Sequence, residues 1–88
     1  MRYRAPAPEA LLTAGLDTLT AVFHRPSGIT HLLASPAPEI LALLAEEAHD
    51  ADDLLARLSA RFDLADANRE ALVARLDELV AAGLVEPA

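Results

Sequence analysis

The sequence predicts an α+β fold, a three-stranded antiparallel sheet followed by a three-helix bundle. Between Glu9 and Ala34 the apolar residues alternate at the period of a strand. From Ser35 onward leucines recur at three- and four-residue spacing, the period of a helix. The β-branched and aromatic residues also concentrate in the first stretch, as strands prefer.

The clearest strand signal is Leu19, Ala21 and Phe23 alternating with Thr20, Val22 and His24. Arg25-Pro26-Ser27-Gly28 then reads as a turn, because Pro presets φ and Gly permits a positive φ. Ile29-Thr30-His31-Leu32-Leu33 continues as the second arm of a hairpin. A lone hairpin is marginal in water, so a third strand is required. Ala10 to Ala14 supplies it, with Gly15 breaking it from the hairpin. Leu32 and Leu33 are both apolar, so alternation leaves open which one faces inward, and a one-residue slip exchanges the two faces. Ahead of the strands, Ala5-Pro6-Ala7-Pro8 reads as an extended, solvated lead-in.

Ser35-Pro36 places an N-cap residue before a Pro at the first helical position, which starts a helix over 36–48. Glu39 complements the dipole of its first turn, and Ile40, Leu41, Leu43 and Leu44 form its apolar face. Asp50-Ala51-Asp52-Asp53 caps a second helix over 51–62, with Leu54, Leu55, Leu58 and Phe62 on one face. Asp63-Leu64-Ala65-Asp66 links it to a third helix over 67–82, whose stripe is Leu72, Leu76, Leu79 and Val80 with Val73 beside it. Gly83 is the expected C-cap, and Leu84-Val85 folds back onto the core. No single stripe buries itself, so three stripes close on one sheet face and give one domain over 1–88. The short link between the last two helices permits a helix-turn-helix, hence a winged-helix-like arrangement.

The bulk numbers narrow the function. A chain of 88 residues buries only about two thirds of its unfolded surface. Its net charge is −7 and its isoelectric point near 4.7. All seven basic side chains are Arg and they are scattered, whereas duplex binding needs clustered cations to displace counterions. A nucleic-acid partner is therefore disfavoured. The absence of Cys excludes disulfides and thiolate chemistry. No apolar run is long enough to span a membrane, and Met1-Arg2-Tyr3-Arg4 is not followed by a signal core, so a cytoplasmic protein without membrane association is expected.

Catalysis lacks its signatures. Ser27 has no Gly-x-Ser-x-Gly elbow and there is no Gly-rich phosphate loop, so no enzyme activity is expected. His24 and His31 lie across one hairpin and His49 falls at a helix end, a set too small and too widely spaced for zinc. Asp50, Asp52 and Asp53 lack the Gly and distal Glu of a calcium loop. No metal or cofactor is expected.

Val22-Phe23-His24-Arg25-Pro26-Ser27-Gly28, the exit Leu32-Leu33 into Ser35-Pro36-Ala37-Pro38-Glu39-Ile40-Leu41, Leu54-Leu55-Ala56-Arg57-Leu58, Leu76-Asp77-Glu78-Leu79 and the closing Gly83-Leu84-Val85 together resemble the PqqD family of peptide chaperones, the recognition elements of ribosomal-peptide modification systems. The likeness covers nearly the whole chain. His24-Arg25-Pro26-Ser27-Gly28 with Thr30-His31-Leu32-Leu33 looks like the PqqD-like members found beside a kinase related to HPr kinase. The resemblance implies three antiparallel strands followed by three helices. It also implies a function: the leader segment of a precursor peptide adds as a strand to the open edge of the sheet, between the third strand and the third helix, and is presented to a modifying enzyme.

An open edge exposes unpaired N–H and C=O groups that any extended peptide satisfies, so side chains beside the edge must supply specificity. The candidates are Ile29, His31 and Leu33 on the strand and Val73, Leu76, Asp77 and Val80 on the third helix. Arg69 would pair with an acidic cargo residue and Asp77 with a basic one. Leu72, Leu76 and Leu79 also read as core from their spacing alone. Two other readings stand beside this one. One is a winged-helix DNA-binding regulator. The other is a dimerisation or adaptor module, pairing its strand edge with a second copy.

Overall fold

The computed structural model describes residues 1–62 and 68–88, with Phe62 described by its backbone alone. The elements run β1 (Arg2–Arg4), a 3-10 turn (Pro8–Ala10), β2 (Leu11–Leu16), β3 (Leu19–His24), β4 (Ile29–Ala34), α1 (Ala37–Glu46), β5 (His49–Asp50), α2 (Ala51–Phe62), α3 (Arg69–Ala81) and β6 (Glu86–Pro87). This is a small α+β protein with a three-stranded antiparallel sheet and three helices, as the sequence predicts. The expected link at Asp63–Asp66 lies outside the described residues.

The main sheet has the order β2-β3-β4. Its register pairs Thr13 with Val22 and Val22 with His31, and pairs Gly15 with Thr20 and Thr20 with Leu33. Side chains alternate across a strand, so Leu11, Thr13, Thr20, Val22, His24, His31 and Leu33 share the inner face. Val22 is buried, while Leu33 and Leu11 pack against the core from its edge. Leu33 therefore faces inward and Leu32 outward, which resolves the ambiguity of that pair.

β2 runs on through Gly15 to Leu16, rather than stopping at Ala14. Its connection to β3 is the two-residue loop Asp17-Thr18, with Asp17 at a positive φ of 55°. Tight hairpins need such a residue, and Asp tolerates it because its short side chain bonds locally. At the other hairpin, Gly28 holds φ 72° and its N–H returns to the His24 carbonyl at 2.8 Å.

The helices begin and end largely as their caps dictate. Asp50 accepts from the Asp53 N–H at 2.8 Å, capping α2, and Asn68 accepts from the Ala71 N–H at 2.8 Å, capping α3. Ser35 does not cap a backbone N–H. Its hydroxyl bonds the Glu39 carboxylate instead, and α1 starts at Ala37 behind Pro36. α3 closes in the expected glycine motif. Gly83 sits at φ 80°, the Leu84 N–H reaches the Leu79 carbonyl and the Gly83 N–H the Val80 carbonyl, each at 3.0 Å. The turn drives Leu84 and Val85 into the core, where both are fully buried.

Arg2–Arg4, to which the sequence assigns no element, form a strand, and of the expected solvated lead-in Ala5–Pro8 only Ala7 and Pro8 are exposed. β1 is the central strand of a second, smaller sheet of order β5-β1-β6, with Tyr3 opposite His49 and Pro87. Tyr3 is buried within the core cluster, and Pro6 is buried too. The Ala88 N–H closes this sheet onto the Arg2 carbonyl at 2.8 Å. A three-residue strand carries too little periodicity to be read in sequence. It exists because strands far away in the chain pair with it.

Candidate functional site

Among the described strands β4 pairs only with β3, so its second edge carries unpaired backbone groups. Beside that edge lies a groove of about 230 Å³. Its strand wall is His31 to Ala34, its floor Ala37, Leu79 and Leu84, and its helix wall Arg75, Glu78 and Ala82. The chain thus sets a cleft between the last strand of the main sheet and α3, where the sequence reading looked for one.

The candidate residues distribute unevenly around it. His31 and Leu33 line the groove. Ile29 has the same face parity but is exposed at the start of β4, beyond the groove. Leu76 is fully buried in the core and supports the wall from behind. Val73 and Val80 are half-buried against the core on the other flank of α3. Asp77 is exposed, and Arg69 is held at 2.8 Å by Asp52 of α2. Leu79 of the leucine stripe lines the groove together with Arg75, Glu78 and the C-cap residue Ala82, which lie on the opposite flank of that stripe. Periodicity locates the stripe, but the side from which the sheet approaches depends on how the chain returns in space.

Two features give the groove its chemistry. The first is a rim ion pair, Arg75 to Glu78 at 2.9 Å, with both side chains well exposed. The second is His31: its Nε2 is buried and has no hydrogen-bond partner among the described residues. A buried polar atom left unmatched costs about 1–3 kcal/mol, and such atoms are uncommon in folded proteins. His31 also lines the groove, so its unmatched nitrogen lies beneath the groove wall.

A second, larger cleft of about 420 Å³ lies over the β2 side of the inner face. The lead-in Ala5–Pro8, Leu11, Thr13, Thr20 and Val22 line one side, and Pro38, Leu41, Ala42 and Ala45 of α1 the other. No charged side chain contributes to it, and its polar side chains are the hydroxyls of Thr13 and Thr20.

The most concentrated polar cluster lies elsewhere. His49 is buried in β5, not at the dipole of a helix carboxyl end as expected. Its Nδ1–H donates to Asp53, while its Nε2 lies 3.9 Å from Glu47. Arg57 reaches both Asp53, at 3.3 Å, and Glu47, at 3.7 Å. This network fastens β5 to α2. The hydrogen bond from His49, and with it the bonds and charge of Arg57, hold the Asp53 carboxyl below its ordinary value of 3.8, against the opposing effect of desolvation. A depressed folded-state value means that ionised Asp53 stabilises the fold above pH 3.8, and that this contribution disappears as pH falls through the folded value. In urea unfolding between about pH 6 and pH 2, the gap between the native chain and Asp53→Asn should stay level down to about pH 4 and narrow below it. A gap independent of pH would show that the bonds to Asp53 do not depend on its charge.

Among the described residues no three His, Asp or Glu side chains gather as metal ligands would. No described helix is long and apolar enough to cross a membrane. Compared with family models, curated proteins and solved structures, the chain matches none.

Proposed function

We propose that this protein is a non-catalytic peptide-binding module of winged-helix-like form that receives an extended peptide along β4 and presents it to a modifying enzyme, as the resemblance to the PqqD family implies. The observation that carries this reading is the open β4 edge beside α3, with a groove lined by His31 and Leu33 between them. A guest backbone completes the ladder and its inward side chains enter the groove. Main-chain bonds provide affinity and the groove provides selection. Ordering the guest costs about 2–5 kcal/mol, which sets the expected dissociation constant in the micromolar range.

The charges on α3 favour this reading over DNA binding. Arg69 and Arg75 are engaged by Asp52 and Glu78, and Glu70, Asp77 and Glu78 would face the phosphates of a duplex. The β2-side cleft is the less suited receptor, since it is lined by no charged group.

The test uses synthetic leader-length peptides tiled from short reading frames adjacent to the gene. Calorimetry should give micromolar binding for one of them, with amide shifts over Ile29–Ala34 and the end of α3. Ala82→Phe, which fills the groove from a position of ordinary helical backbone, should weaken that binding by at least about tenfold, or 1.4 kcal/mol, while leaving the melting temperature nearly unchanged. Absence of heat for every peptide would overturn the proposal, and shifts centred on Leu11–Leu16 would move the receptor to β2.

A further inference from the structure

The outer face of the main sheet has no cover. Its outward positions form three rows across the strands: Leu12, Phe23 and Thr30; Ala14, Ala21 and Leu32; Leu16, Leu19 and Ala34. None is charged, and a single hydroxyl is the polar content of the whole surface. Leu12 is 57 % exposed, Leu16 51 %, Leu19 38 % and Leu32 63 %. An antiparallel sheet with one solvated face carries polar residues on that face. Here the face turned away from the helices is the apolar one, the pattern of a face that is covered.

We infer that the cover is a second copy of this chain, stacked sheet to sheet in a two-fold dimer. Two observations select that occupant. The first is shape. Ala14 and Ala21 lie side by side in the middle row, a hollow flanked by Leu12 and Phe23 on one side and Leu16 and Leu19 on the other. Under two-fold symmetry the leucines of each copy enter the hollow of the other, so one surface supplies both knob and socket. The second is charge. The main sheet and its loops, residues 11–34, hold Arg25 against Asp17, a net zero, whereas the remaining residues hold six Arg against thirteen acids, a net −7. Stacking on the sheet brings the neutral sheets together and holds the acidic remainder of each chain apart. Association through the helices would oppose those charges. Area sets the strength. Three six-residue strands at ordinary spacing cover roughly 300 Å², well under the roughly 800 Å² each partner buries in a standard stable interface. The dimer is therefore weak and reversible, with a dissociation constant on the order of 10⁻⁴ M. Face-to-face stacking leaves the β4 edge free, so the inference is independent of what that edge binds.

Sedimentation of the full chain from about 10 µM to about 1 mM should show the mass rising from one copy towards two and no further. On dilution, the methyl signals of Leu12, Leu16, Leu19 and Leu32 should shift, and those of α2 should not. Leu12→Glu with Leu32→Glu, both at exposed positions, should weaken association by at least about tenfold with an unchanged circular dichroism spectrum. A single-copy mass throughout, association that survives the double substitution, or dilution shifts confined to the backbone amides of Ile29–Ala34 would each overturn the inference, the last pointing to pairing by strand edges. Should the double variant misfold, the methyl dilution series on the native chain decides alone.

Discussion

Leu76→Ala should destabilise this protein by about 3–5 kcal/mol and lower its melting temperature by about 15–25 °C. Leu76 is fully buried, in the middle of the stripe that α3 presents to the core, with Leu72 and Leu79 buried beside it. Removing its branched end forfeits the transfer free energy and leaves a cavity that Ile40, Leu54 and Leu84, themselves buried, cannot all move to fill. A chain of 88 residues has about 5–10 kcal/mol of total stability, so one such change consumes a large share of it. The neighbour Asp77 provides the control: it is exposed, and Asp77→Ala should change stability by no more than about 0.5 kcal/mol. Thermal unfolding followed by circular dichroism measures both. A loss under about 1 kcal/mol at Leu76 would mean that α3 is rotated away from the core.

Tyr3→Ala should cost about 3 kcal/mol, a large effect for a residue third from the start of the chain. A solvated lead-in would show almost none, within about 0.5 kcal/mol, so this substitution separates the two descriptions. Tyr3 is 5 % exposed and belongs to the same cluster as Leu44, Leu84 and Val85. Its strand joins His49-Asp50 on one side to Glu86-Pro87 on the other. Losing the ring loosens three segments together and opens buried His49 to water. Tyr3→Phe keeps the ring and should stay within about 1 kcal/mol of the native chain. Urea midpoints for the two variants test this, and equal stability of Tyr3→Ala and the native chain would refute the central role of β1.

The groove teaches a related lesson. The leucine stripe of α3 and the strand pattern of Ile29–Ala34 were both legible, and the resemblance to the PqqD family implies a cleft between them. A strand offers only two faces, so His31 and Leu33 go together, but two adjacent leucines leave the choice of face to the structure. A helix offers a continuous circle, and the stripe at Leu72, Leu76 and Leu79 has two flanks of similar character. Val73 and Val80 occupy one flank, Arg75 and Ala82 the other, and the groove opens on the second.

Sequence alone determined the α+β class, the three helices with the Gly83 end of α3, the hairpin at Arg25–Gly28 and the leucines of the core, because each follows from local periodicity or from the backbone preference of one residue. Tertiary structure alone decided that Arg2–Arg4 becomes the middle strand of a second sheet, that His49 is buried against Asp53, which flank of α3 faces β4, and that the leucines of the outer sheet face stand uncovered. The placing of β1 and of α3 against β4 depends on segments about forty or more residues apart meeting in space. No short window of sequence contains the partner whose approach sets them.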